Sequence, residues 1–149
     1  MRFKCNHGNI SMFVCYATTN SAPDDRKDEF HERLQDVVGR VARHKILLCN
    51  GDFNAVLRGS NEGFEACMGS MGVRNEMSEN GVRFTNFCLA NDVVIGGTIF
   101  QHHNIHKSTW KSPCGKYKNQ IDHIAISRKH KSSLLDVRVR KGVDVGSDH

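Results

Sequence analysis

Ile10-Ser11-Met12-Phe13-Val14-Cys15-Tyr16 is apolar at every position but Ser11, the pattern of a strand buried on both faces. Pro23-Asp24-Asp25 follows, with a proline suited to a first helical turn and acids suited to its positive end. Phe30, Leu34, Val37, Val38 and Val41 then recur on one stripe of that helix. Gly39 weakens the helix, and Arg40, Arg43 and His44 suit its C-terminal end. Ile46-Leu47-Leu48-Cys49 predicts a second buried strand, stopped by a turn at Asn50-Gly51-Asp52. Residues 58–76 are polar and rich in glycine without a period, which predicts a long surface loop. Ser78-Glu79-Asn80-Gly81 opens a second helix with Phe84, Phe87 and Cys88 on one side. Val93-Val94-Ile95 predicts another strand, broken by Gly96-Gly97. Residues 106–112 and 119–127 flank Pro113-Cys114-Gly115-Lys116 as the two arms of a hairpin. Leu135, Val137 and Val139 alternate with Asp136, Arg138 and Arg140, which predicts a final strand with one basic face. The order is that of a mixed α/β domain with more strands than helices.

Composition narrows the class. The 149 residues are 38% hydrophobic and 25% charged, with 13 Gly and 2 Pro, which excludes collagen-like, low-complexity and strongly disordered chains. No apolar run approaches the roughly 20 residues of a membrane span. Met1-Arg2-Phe3-Lys4-Cys5-Asn6-His7-Gly8-Asn9 has bases but no apolar core of a signal peptide. The expectation is an intracellular protein, nuclear or cytoplasmic, with no membrane and no obligate protein partner. The 6 cysteines are widely spaced with no C-x-x-C pair, so free thiols are expected rather than disulfides or a zinc site. His102-His103-Asn104-Ile105-His106 contains an H-x-x-H spacing but no acidic or thiol companion, and reads as a solvated loop. The net charge of +5 is unevenly spread. Between residues 107 and 141 the bases are opposed by only Asp122 and Asp136. That excess suits a polyanion such as a nucleic-acid backbone, or equally a solvated face.

The chemistry-bearing residues sit at the ends of apolar runs. Asp52 and Asn54 lie two apart beyond a buried strand, so both side chains point the same way. A carboxylate there can take a proton or hold a metal, and an amide can donate to a phosphoryl oxygen. The same pair also suits an Asx-turn. In Gln120-Ile121-Asp122-His123-Ile124-Ala125-Ile126, Asp122 shares a face with Ile124 and Ile126. An acid on an apolar face is either paired structurally or functional, because burying it alone is costly. The chain ends in Gly146-Ser147-Asp148-His149, an acid beside an imidazole.

Gly51-Asp52-Phe53-Asn54, then Gln120-Ile121-Asp122-His123, then Ser147-Asp148-His149, in that order, resembles the endonuclease/exonuclease/phosphatase superfamily. Tyr16-Ala17-Thr18-Thr19-Asn20 resembles the same family's tyrosine motif, with Thr18 where the family usually has proline. Glu79-Asn80-Gly81 with Phe84, Ile95-Gly96-Gly97-Thr98, Ile105-His106-Lys107 and Thr109-Trp110 with Ser112-Pro113 resemble the endonuclease domain of LINE-type retrotransposons. The craniofacial development protein 2-like group carries that domain too.

The resemblance implies a four-layer α/β sandwich with its site at one end of two packed sheets. It aligns residues 1–149 with roughly the C-terminal two-thirds of such a domain, without the first-strand Asn, the metal-binding Glu and the last strand. It implies Mg²⁺-dependent hydrolysis of DNA phosphodiesters, with Mn²⁺ as a substitute ion. Asp52 matches the acid that orients or deprotonates water or protonates the leaving oxygen. Asn54 matches the phosphate-holding amide, and Tyr16 a hydroxyl near the phosphate. His149 matches the imidazole on the scissile phosphate, and Asp122 the carboxylate that orients it. Asp148 matches a metal ligand, with Asp52 beside it. Asn20, Thr109 and Asn119 fall where similar enzymes touch the DNA backbone or the phosphate, and Arg138 and Arg140 supply the basic face toward DNA. On this reading the chain by itself cuts weakly or not at all. A non-catalytic nucleic-acid binder is the alternative, and a phosphatase of the same superfamily a third.

Overall fold

The computed structural model describes residues 1–5 and 8–140. In chain order the strands are β1 (Arg2–Cys5), β2 (Gly8–Tyr16), β3 (Ile46–Asp52), β4 (Val93–Ile95), β5 (Trp110–Lys111), β6 (Lys118–Asn119) and β7 (Asp122–Ser127). Two helices, α1 (Asp24–Gly39) and α2 (Glu79–Ala90), join them with three short 3₁₀ turns. Five strands form one sheet in the order β1-β2-β3-β7-β4, and β5 and β6 form a separate ribbon. β2 and β3 run parallel, with α1 as the crossover that a parallel pair needs, and the other neighbouring pairs are antiparallel.

Both helices cover one face of this sheet. Cys15, Cys49, Val93, Ile95 and Ala125 point from the strands into a core with Leu34 and Val38 of α1 and Phe84, Phe87 and Cys88 of α2. Phe53 and Phe84 stack at the centre, with ring centroids 4.1 Å apart. Burying each of these rings contributes roughly 1.5–3 kcal/mol. Ser78 starts α2 as expected: its hydroxyl accepts the Gly81 N–H at 3.1 Å. One buried α1 residue escapes the apolar stripe, because it is Lys27. Its stem is covered while Nζ reaches Glu79 Oε2 at 2.5 Å and Asp24 Oδ1 at 3.3 Å, tying α1 to the start of α2.

Several expectations are corrected. β2 is not buried on both faces: Ser11 is inside, whereas Val14 and Tyr16 are each 77% exposed. The period-two alternation sends Ser11 and Cys15 under the helices and Val14 and Tyr16 to the opposite face. Asn50-Gly51-Asp52 is not a turn but the last part of β3. The ladders from β2 and β7 extend to Tyr16 and Asp122 on either side and hold it straight. The loop at 58–76 is not all surface, since Cys67 and Met68 are buried and the Cys67 carbonyl accepts the Ile95 N–H at 2.8 Å. The second hairpin arm divides: β6 pairs with β5, while β7 leaves to lie between β3 and β4. Residues 134–140 form no strand. They cross over the β4 end instead, where Leu134 and Val137 crowd Gly96.

The five cysteines with described side chains are free, four of them buried and Cys114 exposed. Among the described residues no helix is long and apolar enough to cross a membrane. The exposed Val14 and Tyr16, with Phe3 43% and Leu135 89% exposed, leave an apolar surface that favours self-association. The purified chain is expected to sediment as aggregates or bind a hydrophobic dye at neutral pH. A chain that stays strictly monomeric and binds no dye contradicts this.

Candidate functional site

Three strands end side by side on the face away from the helices. The register sets Tyr16 opposite Asp52, and Asp52 opposite Asp122, in one row across β2, β3 and β7. Asp52 is buried and Asp122 half-buried, while Tyr16 stands in solvent. Beyond this row the chain turns at once. Asp52 Oδ1 accepts the Asn54 N–H at 2.7 Å, so the Asx-turn is real. Asn54 sits at φ 46°, a left-handed conformation that asparagine tolerates. Phe53 between them faces the core, and its N–H meets the Ile121 carbonyl at 3.0 Å. The pair Asp52 and Asn54 is thus held at the strand end by a buried ring and by ladder bonds from both sides.

Asn54 spends one of its amide hydrogens on the Ala17 carbonyl at 2.9 Å, and the Ala17 N–H returns to the Asp52 carbonyl at 2.7 Å. These bonds lock the turn after Tyr16 to the turn after Asp52. Asn80 completes the lock; the sequence placed it in the Glu79-Asn80-Gly81 motif but gave it no role in the site. It is buried in the first turn of α2, where its amide nitrogen donates to the Thr18 carbonyl at 2.8 Å and to the Asn54 carbonyl at 3.3 Å. The signal for it is a polar side chain just inside a helix start, where hydrogen-bonding roles concentrate.

The residues expected to contact nucleic acid divide in the same way. Asn20 uses its side-chain oxygen to accept the Asn80 N–H at 3.0 Å, a helix-start bond. Thr109 Oγ1 accepts the N–H groups of Ile121 and Asp122 at 3.0 and 3.2 Å, and so sets the first residue of β7. Asn119 Oδ1 is gripped by Arg74, from Nε at 2.8 Å and Nη2 at 2.6 Å. Arg138 pairs with Asp136 at 3.1 Å, Arg140 is exposed, and neither belongs to a strand. Asp148 and His149 lie outside the described residues.

His123, next to Asp122, belongs to the other face. Its Nε2 bonds the Ala55 carbonyl at 2.7 Å and its ring lies 5.3 Å from that of Phe84. Burial pushes its pKa down to about 4, against the smaller upward pull of the Ala55 bond and the Asp122 charge. At neutral pH it is an uncharged core residue.

Among the described residues no group of three His, Cys, Asp or Glu converges in a way that could hold a metal ion. The groups at the strand-end row are two carboxylates and the Tyr16 hydroxyl, while Cys15, Cys49 and His123 face the helices. Hard oxygens of this kind suit Mg²⁺ rather than zinc.

No protein-family model matches the chain. It is 35% identical over 151 aligned residues to craniofacial development protein 2 of Bos taurus, and 34% identical to that of Tragulus javanicus. The chain is covered completely in both alignments but spans about a quarter of those relatives' length. Among solved structures, the 3′ phosphatase NExo from Neisseria, bound to a product DNA hairpin, superposes with a TM-score of 0.63 at 20% identity. That superposition covers 99% of this chain and 60% of the other. An endonuclease/exonuclease/phosphatase family protein from Leptotrichia buccalis gives 0.48 at 11% identity, covering 85% of this chain and 40% of the other. The chain is therefore homologous along its whole length to a quarter of craniofacial development protein 2, and it shares its fold with the DNA-bound Neisseria 3′ phosphatase.

Proposed function

We propose that this chain is part of a divalent-metal-dependent nuclease of the retrotransposon-endonuclease type, acting on the phosphodiester backbone of DNA. The observation that carries this reading is the row Tyr16–Asp52–Asp122 with Asn54 locked beside it. Phosphodiester hydrolysis needs a group to move a proton at the attacking or leaving oxygen, and donors for the charge gathering on the phosphoryl oxygens. Asp52 is the proton-handling group. Asn54 has a second amide hydrogen for a phosphoryl oxygen, and Tyr16 offers a hydroxyl from the solvent side. Asp122 would orient and charge His149, which lies outside the described residues, so that its imidazolium could meet the scissile phosphate. Asp52 and Asp148 would hold Mg²⁺, which when bound neutralises charge on the phosphate. DNA is the partner; the DNA-bound Neisseria structure that shares the fold is in keeping with this.

A second reading, binding without cleavage, is favoured by the lack of three converging ligand side chains among the described residues. One assay separates the two. Supercoiled plasmid, and a labelled duplex ending in a 3′-phosphate, are incubated with the chain over a series of Mg²⁺ concentrations. Slow nicking that needs millimolar Mg²⁺ is expected. Asp52→Asn should lower it by on the order of 10²-fold or more, the usual contribution of a positioned acid or base. Binding with no nicking at any Mg²⁺ concentration selects the non-catalytic reading. Release of the 3′-phosphate without internal nicking selects a phosphatase.

A further inference from the structure

Cys15, Cys49, Cys67 and Cys88 share the core as free thiols, and the strand-end chemistry uses none of them. Cys15 immediately precedes Tyr16, and Cys49 lies in the strand that ends at Asp52. In the parallel ladder Cys15 is paired with Gly51 and Cys49 with Phe13, so the two thiols are diagonal neighbours on the face beneath the helices. Gly51 places no side chain beside Cys15, and the two backbones approach closely there. A Cβ on Gly51 would lie 2.1 Å from the Cys15 carbonyl oxygen. The Cys49 S–H donates to the Cys15 sulfur. That bond lowers the pKa of Cys15 against the opposing effect of burial, and the same bond, with burial, raises that of Cys49. The pair is thus divided into a nucleophile and a proton holder. Cys15 is 7% exposed and Cys49 0%, so a small reagent from solvent meets Cys15 first.

We propose that Cys15 and Cys49 are a reversible disulfide site, with Cys15 the thiol oxidised by a small peroxide and Cys49 the thiol that closes the bond. It goes beyond the nuclease reading and stands without it. In the first step the Cys15 thiolate attacks one oxygen of hydrogen peroxide. The O–O bond breaks, an S–O bond forms, and the other oxygen leaves as hydroxide, which takes up the proton that Cys15 released. In the second step the Cys49 sulfur attacks the Cys15 sulfenic acid. The S–O bond breaks, the S–S bond forms, and hydroxide leaves with the Cys49 proton as water. The two thiols lose two electrons together, and one peroxide becomes two waters. Other uses of these sulfurs fit less well. Cys88 is fully buried with its pKa raised by desolvation, and no set of three ligand side chains that could hold a metal ion is present among the described residues. The new bond ties β2 to β3 directly behind Tyr16 and Asp52.

Peptide mapping by mass spectrometry after treatment with a small excess of hydrogen peroxide tests it. The full chain carrying Cys5→Ser and Cys114→Ser is used, which leaves the core thiols alone. The folded chain should lose two hydrogens and give the Cys15–Cys49 cross-link roughly tenfold or more above any other pairing, because the bond forms only between sulfurs already in reach. Dithiothreitol should restore both thiols. The same treatment in urea should scatter the pairings. Cys49→Ala should leave Cys15 as a sulfenic acid that dimedone captures, and Cys15→Ala should leave Cys49 unoxidised. Should either variant fail to fold, the mapping of the four-thiol chain still decides. The oxidised chain should melt at a higher temperature than the reduced one, since the cross-link restricts the unfolded chain around α1. Scattered pairings in the folded chain, a dominant pair other than Cys15–Cys49, or core thiols untouched by peroxide overturn the proposal. So does a lower melting temperature on oxidation, which would mean that β2 and β3 must move to make the bond.

Discussion

Gly51→Ala is expected to prevent the chain from folding. Gly51 precedes Asp52 in the central strand, at φ +133°, where an L side chain is strained. A Cβ added there would lie 2.1 Å from the Cys15 carbonyl oxygen, 2.9 Å from its nitrogen and 3.0 Å from its carbon. All three are backbone atoms of the neighbouring strand, so no rotamer change relieves the clash. β2 and β3 would have to separate where they carry Tyr16 and Asp52. A loss of roughly 4 kcal/mol or more is in the range of severe backbone conflicts, against a total stability of about 5–15 kcal/mol. Circular dichroism and soluble yield check it. A Gly51→Ala chain that melts like wild type refutes the packing of β2 on β3. Gly39 is the contrast, since a Cβ there meets nothing within 4 Å at a helix end. Gly39→Ala should stabilise the chain by about 0.5 kcal/mol.

The second large effect is acid destabilisation through His123. Its pKa is lowered from the ordinary histidine value of 6.5 to about 4 in the folded chain. The unfolded chain therefore binds a proton at this residue between those values while the folded chain does not. Stability is full above the unfolded value, falls as pH drops toward 4, and changes no further below it. Between pH 7 and pH 4.5 the loss is about 2.5 kcal/mol from this residue alone. Urea unfolding of wild type and His123→Gln at both pH values isolates the contribution, because glutamine keeps a donor for the Ala55 carbonyl and does not titrate. The variant's acid-induced loss should be smaller by that amount. Equal losses in the two chains would place His123 in contact with solvent.

The His123 case also shows how far local pattern reaches. Asp122 and His123 are adjacent in a strand, so period two alone assigns them to opposite faces, and the structure agrees. The α1 stripe was legible for the same reason: Leu34 and Val38 are buried, with Phe30 and Val41 packed against the core. Val37 misses, at 44% exposed, since it lies off the line that α1 presents to the sheet. Lys27 was invisible to any apolar count, because its burial depends on Glu79 of the other helix. Residues 134–140 carry a strand's alternation without a strand, since alternation measures which side is covered and says nothing of a hydrogen-bonding partner.

By itself the sequence determined β2, α1, the start of β3, α2 and β4, and the identity of the strand-end groups, since periodicity, caps and motif residues act within a few positions of one another. It marked Asp52, Asn54 and Asp122 as unusual because acids and amides at the ends of apolar runs need a reason to be there. Only the tertiary structure decided that these ends meet. β7 enters the sheet between β3 and β4, setting Asp122 opposite Asp52. Asn80 clasps two turns that lie far from it in the chain. Arg74 reaches across from the long loop to turn the Asn119 amide. Each of these is a pairing between segments distant in sequence. Such pairings are settled by shared burial and backbone hydrogen bonding across the whole fold, which no short window of residues encodes.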